Sequence, residues 1–271
     1  MGGGAPDPRP ALLPATEALL EEVRRLTGHG FAFEARADLP TLARVQVARG
    51  GMSEHRILYH PDVASLDHLV AHEAGHLVRL WGVPEASRLL PAHGAAEQVG
   101  AIAQLGGELA AMANAGIPPD VLYTLFRRIY PGLVHQVANV PADLRIERWI
   151  RAGHPGLRAA QRASLAAQLE LNRRVLAPEV AGAMPPTIYA ASCALGCAFA
   201  RGVAGLLGEP ALAAPYRDTP HWAAADPLLE VLGEIPDDAG GDVAATDRWA
   251  ELLGMRGWYH WARLDGLGPA D

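Results

Sequence analysis

The sequence predicts an α+β fold in which helix predominates, and three observations lead to this prediction. Apolar side chains recur at three- and four-residue steps through residues 65–81, as on one face of a helix. Three short segments with the alternation of β-strands precede that helix. After residue 81, nearly every stretch between prolines and glycines has helical spacing. We therefore expect a small three-stranded sheet with one central helix, followed by a large helical remainder.

The elements before the central helix are short. Residues 1–13 are rich in Pro and Gly and predict a flexible N-terminal tail. An amphipathic helix is predicted over 16–26, and the strands over 31–36, 42–48 and 55–60. Gly50 and Gly51 predict the turn between the second and third strands, because glycine adopts positive φ without strain.

The part of the chain after residue 81 predicts helices separated by Pro and Gly. These helices are predicted over 84–90, 94–115, 118–130, 134–151, 157–176, 185–207 and 246–264. The expected domain organisation is a core over 14–180 and a helical C-terminal region over 181–271, which can belong to the same domain.

Composition excludes several classes of protein. The 271 residues carry a net charge of −7 with no dense arginine cluster, so nucleic acid is not expected as the main partner. The first residues have neither the basic start nor the apolar run of a signal peptide, which predicts a cytoplasmic location. Two cysteines are too few for a disulfide scaffold. The most apolar stretch, 187–207, is interrupted by Arg201 and predicts a buried helix, not a membrane span.

An HExxH pattern lies on the central helix. His72 and His76 are one helical turn apart on the same face, so both imidazoles can reach one metal ion. Imidazole nitrogen suits Zn²⁺, and Glu73, the next residue around the helix, is placed to act as a base beside it. The alternative interpretation is a pair of partly buried helix histidines next to a surface glutamate.

The pattern, with small residues inside it and a strand before it, resembles the active-site helix of the zincin metallopeptidases. The resemblance implies a zincin-like core that binds Zn²⁺ through His72 and His76. It also implies hydrolysis of peptide bonds by a water that Glu73 activates. An edge strand of the sheet is expected to hold an extended peptide beside the metal.

A third metal ligand is expected in residues 139–149, NVPADLRIERW. Asn139 is predicted to cap a helix on which Asp143 and Glu147 stand four apart, so that one carboxylate can bind the ion while the other orients a histidine. The segment resembles a helix of predicted bacterial zinc peptidases, including von Willebrand-associated ones. That resemblance implies Asp143 as the third ligand, with Asn139 and Glu147 in support. The alternative is a solvated charged face.

Two other glutamates stay open as the third ligand. Glu97 has the separation from His76 that thermolysin-like enzymes show, but Ala101 stands where those enzymes carry an acidic partner. Glu108, in ELAAMANAGIP, resembles part of the glutamate helix of the ImmA/IrrE-type peptidases, without the bulky apolar residues before the proline.

Three functions are consistent with the sequence. The first is a zinc metalloendopeptidase acting on a specific protein or peptide, with a possible regulatory protein partner and no membrane. The second is a non-catalytic, peptidase-like binding or regulatory module. The third is a zinc amidohydrolase acting on a small amide. Only the two enzymes require Glu73 once metal is bound.

Overall fold

The computed structural model of the chain describes residues 9–39 and 41–267, and in them the mostly helical α+β fold is confirmed. The predicted tail falls largely on residues 1–8, outside the described residues. The helices are α1 (Pro14–Thr27), α2 (Leu66–Trp81), α3 (Ala95–Gln104), α4 (Gly106–Asn114), α5 (Pro119–Gly153), α6 (Arg158–Asn172), α7 (Pro178–Ala183), α8 (Pro186–Leu207), α9 (Ala214–Arg217), α10 (Asp226–Glu234) and α11 (Ala239–Leu252). The strands are β1 (Gly30–Ala35), β2 (Ala43–Gln46), β3 (Glu54–Tyr59), β4 (Leu89–Ala92) and β5 (His260–Arg263).

The predicted three-stranded sheet has β3 at its centre. β1 pairs with β3 in parallel, β2 pairs with it antiparallel, and β2 is therefore an edge strand of this sheet. Gly50 and Gly51 make the predicted turn before β3, with φ angles of 59° and 86°. Ile57 and Leu58 of β3 point to opposite faces of the sheet, and both are buried.

The central helix α2 begins and ends as the sequence predicts. Ser65 is the N-cap, and its hydroxyl accepts a 3.5 Å hydrogen bond from the His68 backbone N–H. Asp67 in the first turn accepts from the Leu13 N–H at 2.7 Å and the Thr16 hydroxyl at 2.6 Å, which ties the start of α1 to α2. The other face of α2 packs against β2.

Helices α2 and α5 approach closely at one glycine. A Cβ atom added to Gly75 would lie 2.5 Å from the Cγ2 atom of Ile146, a distance that side chains do not tolerate. Ile146 itself is fully buried. The small residue in the middle of the HExxH pattern therefore sets the distance between these two helices.

Two predicted helices after α2 are wrong in their limits. Residues 84–90 form a short turn and then strand β4, which pairs with β5 from the far end of the chain in a two-stranded sheet. Residues 94–115 form two helices, because the helix stops at Leu105 before Gly106 and Gly107. Strand β4 depends on a partner far away in the sequence, and α3 and α4 are separated by a single residue. Neither feature changes the local periodicity.

The two helices predicted over 118–130 and 134–151 are one helix, α5, with Pro131 and Pro141 inside it. A proline removes one backbone donor and disfavours helix at the preceding residue. Here apolar side chains on both sides of each proline are buried, and that packing keeps the helix continuous. Asn139 consequently lies in the helix interior, so its predicted role as an N-cap is wrong.

The aromatic helix predicted over 246–264 is also wrong. Helix α11 ends at Leu252, and Gly254 and Gly257 turn the chain with φ angles of 71° and 81° before β5. Trp249 and Trp258 are nonetheless fully buried, which confirms that they pack in the core.

The chain divides into two compact units, and each is built from separate stretches of sequence. One unit contains the described residues up to Arg88, Arg145–Gln168 and the chain from Arg263. The other contains Leu89–Leu144 and Leu169–Ala262. The division falls inside α5, which continues through it without a break. The predicted boundary near residue 180 stays a prediction.

Helix α8 is long and apolar enough to cross a membrane by length and composition alone. In the described residues it is the one helix that meets both criteria, and 61% of its apolar window is buried inside the protein. Its side chains therefore have the burial of a core helix, as the interruption at Arg201 predicted.

His55 on β3 is a fully buried histidine with its own local partners. Its Nδ1 atom accepts a 3.0 Å hydrogen bond from the Ala48 N–H, and its ring lies edge-on to those of His29 and Trp81, 5.2 Å away in each case. Burial, aided by the charge of His29, lowers the pKa of His55 to about 4.

Replacing Gly75 with alanine should destabilise the protein by about 1–3 kcal/mol, because the new methyl group overlaps Ile146. Denaturant unfolding measures the change. Gly100→Ala is the matched control, since a Cβ there meets nothing within 4 Å and helix propensity favours alanine. Shortening the opposing side chain in a Gly75→Ala/Ile146→Ala double variant should cost less than the sum of the single changes. Unaltered stability in Gly75→Ala would contradict the close approach.

Acidification from pH 6.5 to 4 should destabilise the protein through His55. The unfolded chain takes up a proton near pH 6.5, whereas folded His55 resists it until about pH 4, so the His55 contribution is present above that window and falls within it. The slope is at most about 1.4 kcal/mol per pH unit. Urea unfolding across this range should show a weaker pH dependence for His55→Gln than for the wild type. Equal slopes would contradict the buried neutral histidine.

Candidate metal centre

His72 and His76 occupy the one open part of an otherwise buried stretch of α2. Both are half-buried, whereas Glu73, Ala74, Gly75 and Leu77 between and beside them are buried. The two imidazole rings are adjacent, with their centroids 5.0 Å apart. The predicted pairing of these histidines on one face is therefore present, and that face is accessible to an ion.

Asp143 is brought to these histidines by α5. Single ligand atoms of His72, His76 and Asp143 all lie within 4.8 Å of one another. Two imidazole nitrogens and one carboxylate oxygen form the donor set that catalytic zinc sites use, with a fourth position left for water or substrate. The residues therefore fit a zinc ion, and the third ligand expected from the sequence is in a suitable position.

Glu147 lies one turn after Asp143 on α5 and is fully buried. Its Oε1 atom is 2.7 Å from His72 Nδ1, and its two oxygens are 3.0 and 2.9 Å from His68 Nε2. His68, His72 and Glu147 also satisfy the spacing criterion for a metal site. However, ligand atoms about 2.0 Å from a tetrahedral zinc are ~3.3 Å apart. The shorter distances here are those of hydrogen bonds, so we interpret this second group as a hydrogen-bonded support.

The contact with Glu147 assigns the two nitrogens of His72 to different tasks. Because a carboxylate can only accept a hydrogen bond, the proton of His72 must be on Nδ1. The lone pair of Nε2 then remains for a ligand. Burial raises the pKa of the Glu147 carboxyl, but its interactions with His68 and His72 outweigh that effect and hold the pKa below the usual range. Glu147 therefore remains an anion that accepts hydrogen bonds.

Two residues that contact Glu147 were not predicted from the sequence. His68 is only 1% exposed and lies in the interior. Its position one turn before His72 was the signal available. Gln161 of α6 is fully buried, and its side-chain amide donates to Glu147 Oε2 at 2.7 Å and to the Glu147 carbonyl at 2.8 Å. No local pattern predicts that contact, since it depends on how α6 packs.

Glu73 reaches from α2 to the edge of the sheet. Its Oε2 atom accepts a 2.8 Å hydrogen bond from the backbone N–H of Val45 in β2. Gln46 and Arg44 flank Val45 in the ladder with β3, and the Val45 N–H points away from that ladder. The predicted base thus lies next to the candidate metal ligand His72 in the chain and beside the edge strand in space.

The remaining predicted residues have other surroundings. Asn139 is exposed on α5, one turn before Asp143. Glu97 accepts from the Gly94 N–H at the start of α3 and pairs with His260 at 2.9 Å. Glu108 accepts from the N–H and hydroxyl of Thr187 in the first turn of α8. Among the described residues, none of these three belongs to a group with metal-ligand spacing.

Comparison with known proteins yielded no relative. No protein-family model, no curated protein and no solved structure matches the chain significantly. The resemblance to zincins therefore depends on the residues of the site.

Elemental analysis of metal-supplied protein should find zinc in the wild type, and much less in His76→Ala and Asp143→Ala, because each variant loses one of three ligands. Glu97→Ala and Glu108→Ala are matched controls that remove carboxylates with other partners, and both should keep wild-type zinc. If a control variant lost its zinc and Asp143→Ala kept it, that glutamate and not Asp143 would be the third ligand.

Proposed function

We propose that this protein is a zinc-dependent metallopeptidase. The observation that carries the proposal is that α2 and α5 together supply His72, His76 and Asp143 at the spacing of metal ligands. In addition, Glu147 contacts His72 Nδ1, the ring nitrogen opposite the one left for a metal. Bound at these residues, a zinc ion would supply an acidified water and polarise the substrate carbonyl.

The protein's own residues divide the remaining work. Glu73 has one oxygen on the Val45 N–H, which holds its carboxylate at the junction of α2 and β2. Its other oxygen would take up a proton from the attacking water and return it to the leaving amine. Glu147 keeps His72 in one tautomer, and the buried helix face beneath the histidines limits access of bulk water.

The edge strand supports a peptide as substrate. In β2, the N–H groups of Ala43 and Val45 point away from β3, as alternate groups of an edge strand do. The Val45 N–H is bonded to Glu73, so the Ala43 N–H is the one that a peptide could meet. An extended peptide can add to such an edge through its main chain. Because Glu73 contacts the same edge, a peptide laid along β2 would pass next to the base. This geometry favours a protein or peptide over a small amide.

The proposal places the enzyme in the cytoplasm. Two observations support this: Cys193 and Cys197 are free thiols, buried in α8, and α8 itself has the burial of a core helix.

Replacing Glu73 with glutamine should separate catalysis from metal binding. The amide keeps the size of the side chain but cannot accept a proton, so peptide hydrolysis should fall by roughly 10²–10⁴-fold. Zinc content should remain at the wild-type level, because Glu73 is not among the ligands. New amino termini can be counted by mass spectrometry after incubation with a peptide library. Glu22→Gln, an exposed change on α1, is the matched control.

Three outcomes distinguish the candidate functions. Cleavage by the wild type and the control but not by Glu73→Gln supports the peptidase. Equal cleavage by all three would contradict the role of Glu73. Stoichiometric zinc without hydrolysis, and with binding unchanged in Glu73→Gln, would favour the regulatory module.

A further inference from the structure

We propose that His68 and Gln161 are positioning residues that lock the Glu147 carboxylate in the one orientation that prepares His72 Nε2 for the metal. This inference rests on the proposed function and adds two residues to it. Neither is a metal ligand in the donor set of His72, His76 and Asp143. Both act through Glu147.

The hydrogen bonds of Glu147 determine its orientation completely. Gln161 Nε2 donates to Oε2 at 2.7 Å, and His72 Nδ1 lies 2.7 Å from Oε1. His68 Nε2 lies between the two oxygens, at 3.0 and 2.9 Å, so it fixes the plane of the carboxylate. With three donors on two oxygens, rotation of the carboxylate would break at least one hydrogen bond.

Burial makes this orientation energetically costly to change. His68, Glu147 and Gln161 are each at most 1% exposed, so water cannot replace a lost hydrogen bond. A buried charged group deprived of a donor loses more free energy than an exposed one. Gln161 also holds the Glu147 main chain, through a 2.8 Å bond to its carbonyl. The same amide thus holds both the main-chain carbonyl and the side-chain carboxylate of Glu147.

The network ends at the metal-ligand face. His72 is the only member whose side chain is appreciably exposed, at 15%, compared with 1% for Glu147. The other three members are buried in the interior. The hydrogen bonds of His68 and Gln161 end on the Glu147 carboxylate, which in turn contacts His72 Nδ1. An interior network made only for stability has no need to end on a metal ligand. The geometry therefore connects Gln161 of helix α6, through Glu147, to the tautomer of His72 on α2.

Nuclear magnetic resonance on the metal-free protein tests the inference without any enzymatic activity. Long-range ¹H–¹⁵N spectra at pH 8 report which nitrogen of each imidazole carries the proton, and His72→Gln identifies the His72 signals. We expect His72 in the Nδ1–H form in the wild type. In His68→Leu and Gln161→Met, the Nε2–H form should become populated. Wild-type His72 in the Nε2–H form would overturn the inference, whether or not the protein is a peptidase.

Zinc affinity provides the second readout, measured by competition with a chromophoric chelator. Loss of an outer partner of a zinc ligand weakens binding by about 10–100-fold, and we expect that loss in His68→Leu and Gln161→Met. His68→Gln should restore most of it, because a glutamine amide can donate to Glu147 from nearly the same place. His55→Leu removes another buried histidine from the same unit and should leave the zinc affinity unchanged.

Circular dichroism is recorded for each variant, so that only folded protein is compared. Wild-type affinity in folded His68→Leu and Gln161→Met would overturn the inference, as would an equal loss in His68→Leu and His55→Leu. If the zinc affinities change as expected but Glu73→Gln hydrolyses peptides as the wild type does, the positioning network stands and the proposed catalytic role of Glu73 fails.

Discussion

The buried carboxylate of Glu147 is the constraint on which the site depends. An anion in the protein interior is tolerated only when its oxygens are filled by hydrogen-bond donors, and here His68, His72 and Gln161 fill them. To satisfy that charge, three helices must come together at one point. The same packing that satisfies Glu147 brings Asp143, one turn earlier on α5, to His72 and His76. The packing that stabilises the core therefore also brings the residues of the candidate metal site together.

Close packing of α2 and α5 gives this arrangement its accuracy. Gly75 leaves no side chain between the helices, and Ile146 occupies the space that results. Ile146 directly precedes Glu147, so a shift of this contact would move the carboxylate relative to both histidines. Hydrogen bonds at 2.7–3.0 Å lose strength over a few tenths of an ångström. The glycine in the HExxH pattern thus affects the candidate ligands indirectly, by setting the distance between α2 and α5.

The sequence predicted what depends on local order, and missed what depends on distant contacts. Helix α2 and the glycine turn before β3 follow from neighbouring residues, and they were predicted correctly. The pairing of β4 with β5 joins segments about 170 residues apart, and no local pattern reveals it. Asp143 and Glu147 were identified by helical spacing. The burial of His68 and the participation of Gln161 required knowledge of which faces meet.

The interleaving of the two units affects how the site can form during synthesis. His72 and Glu147 are 75 residues apart, so the HExxH helix leaves the ribosome well before the helix that completes it. Contacts of such high sequence separation form late, because closing a long loop costs chain entropy before any contact repays it. Until α5 and α6 arrive, the histidines of α2 have no carboxylate to order them. In the growing chain, the candidate site therefore stays incomplete until α5 and α6 have been synthesised.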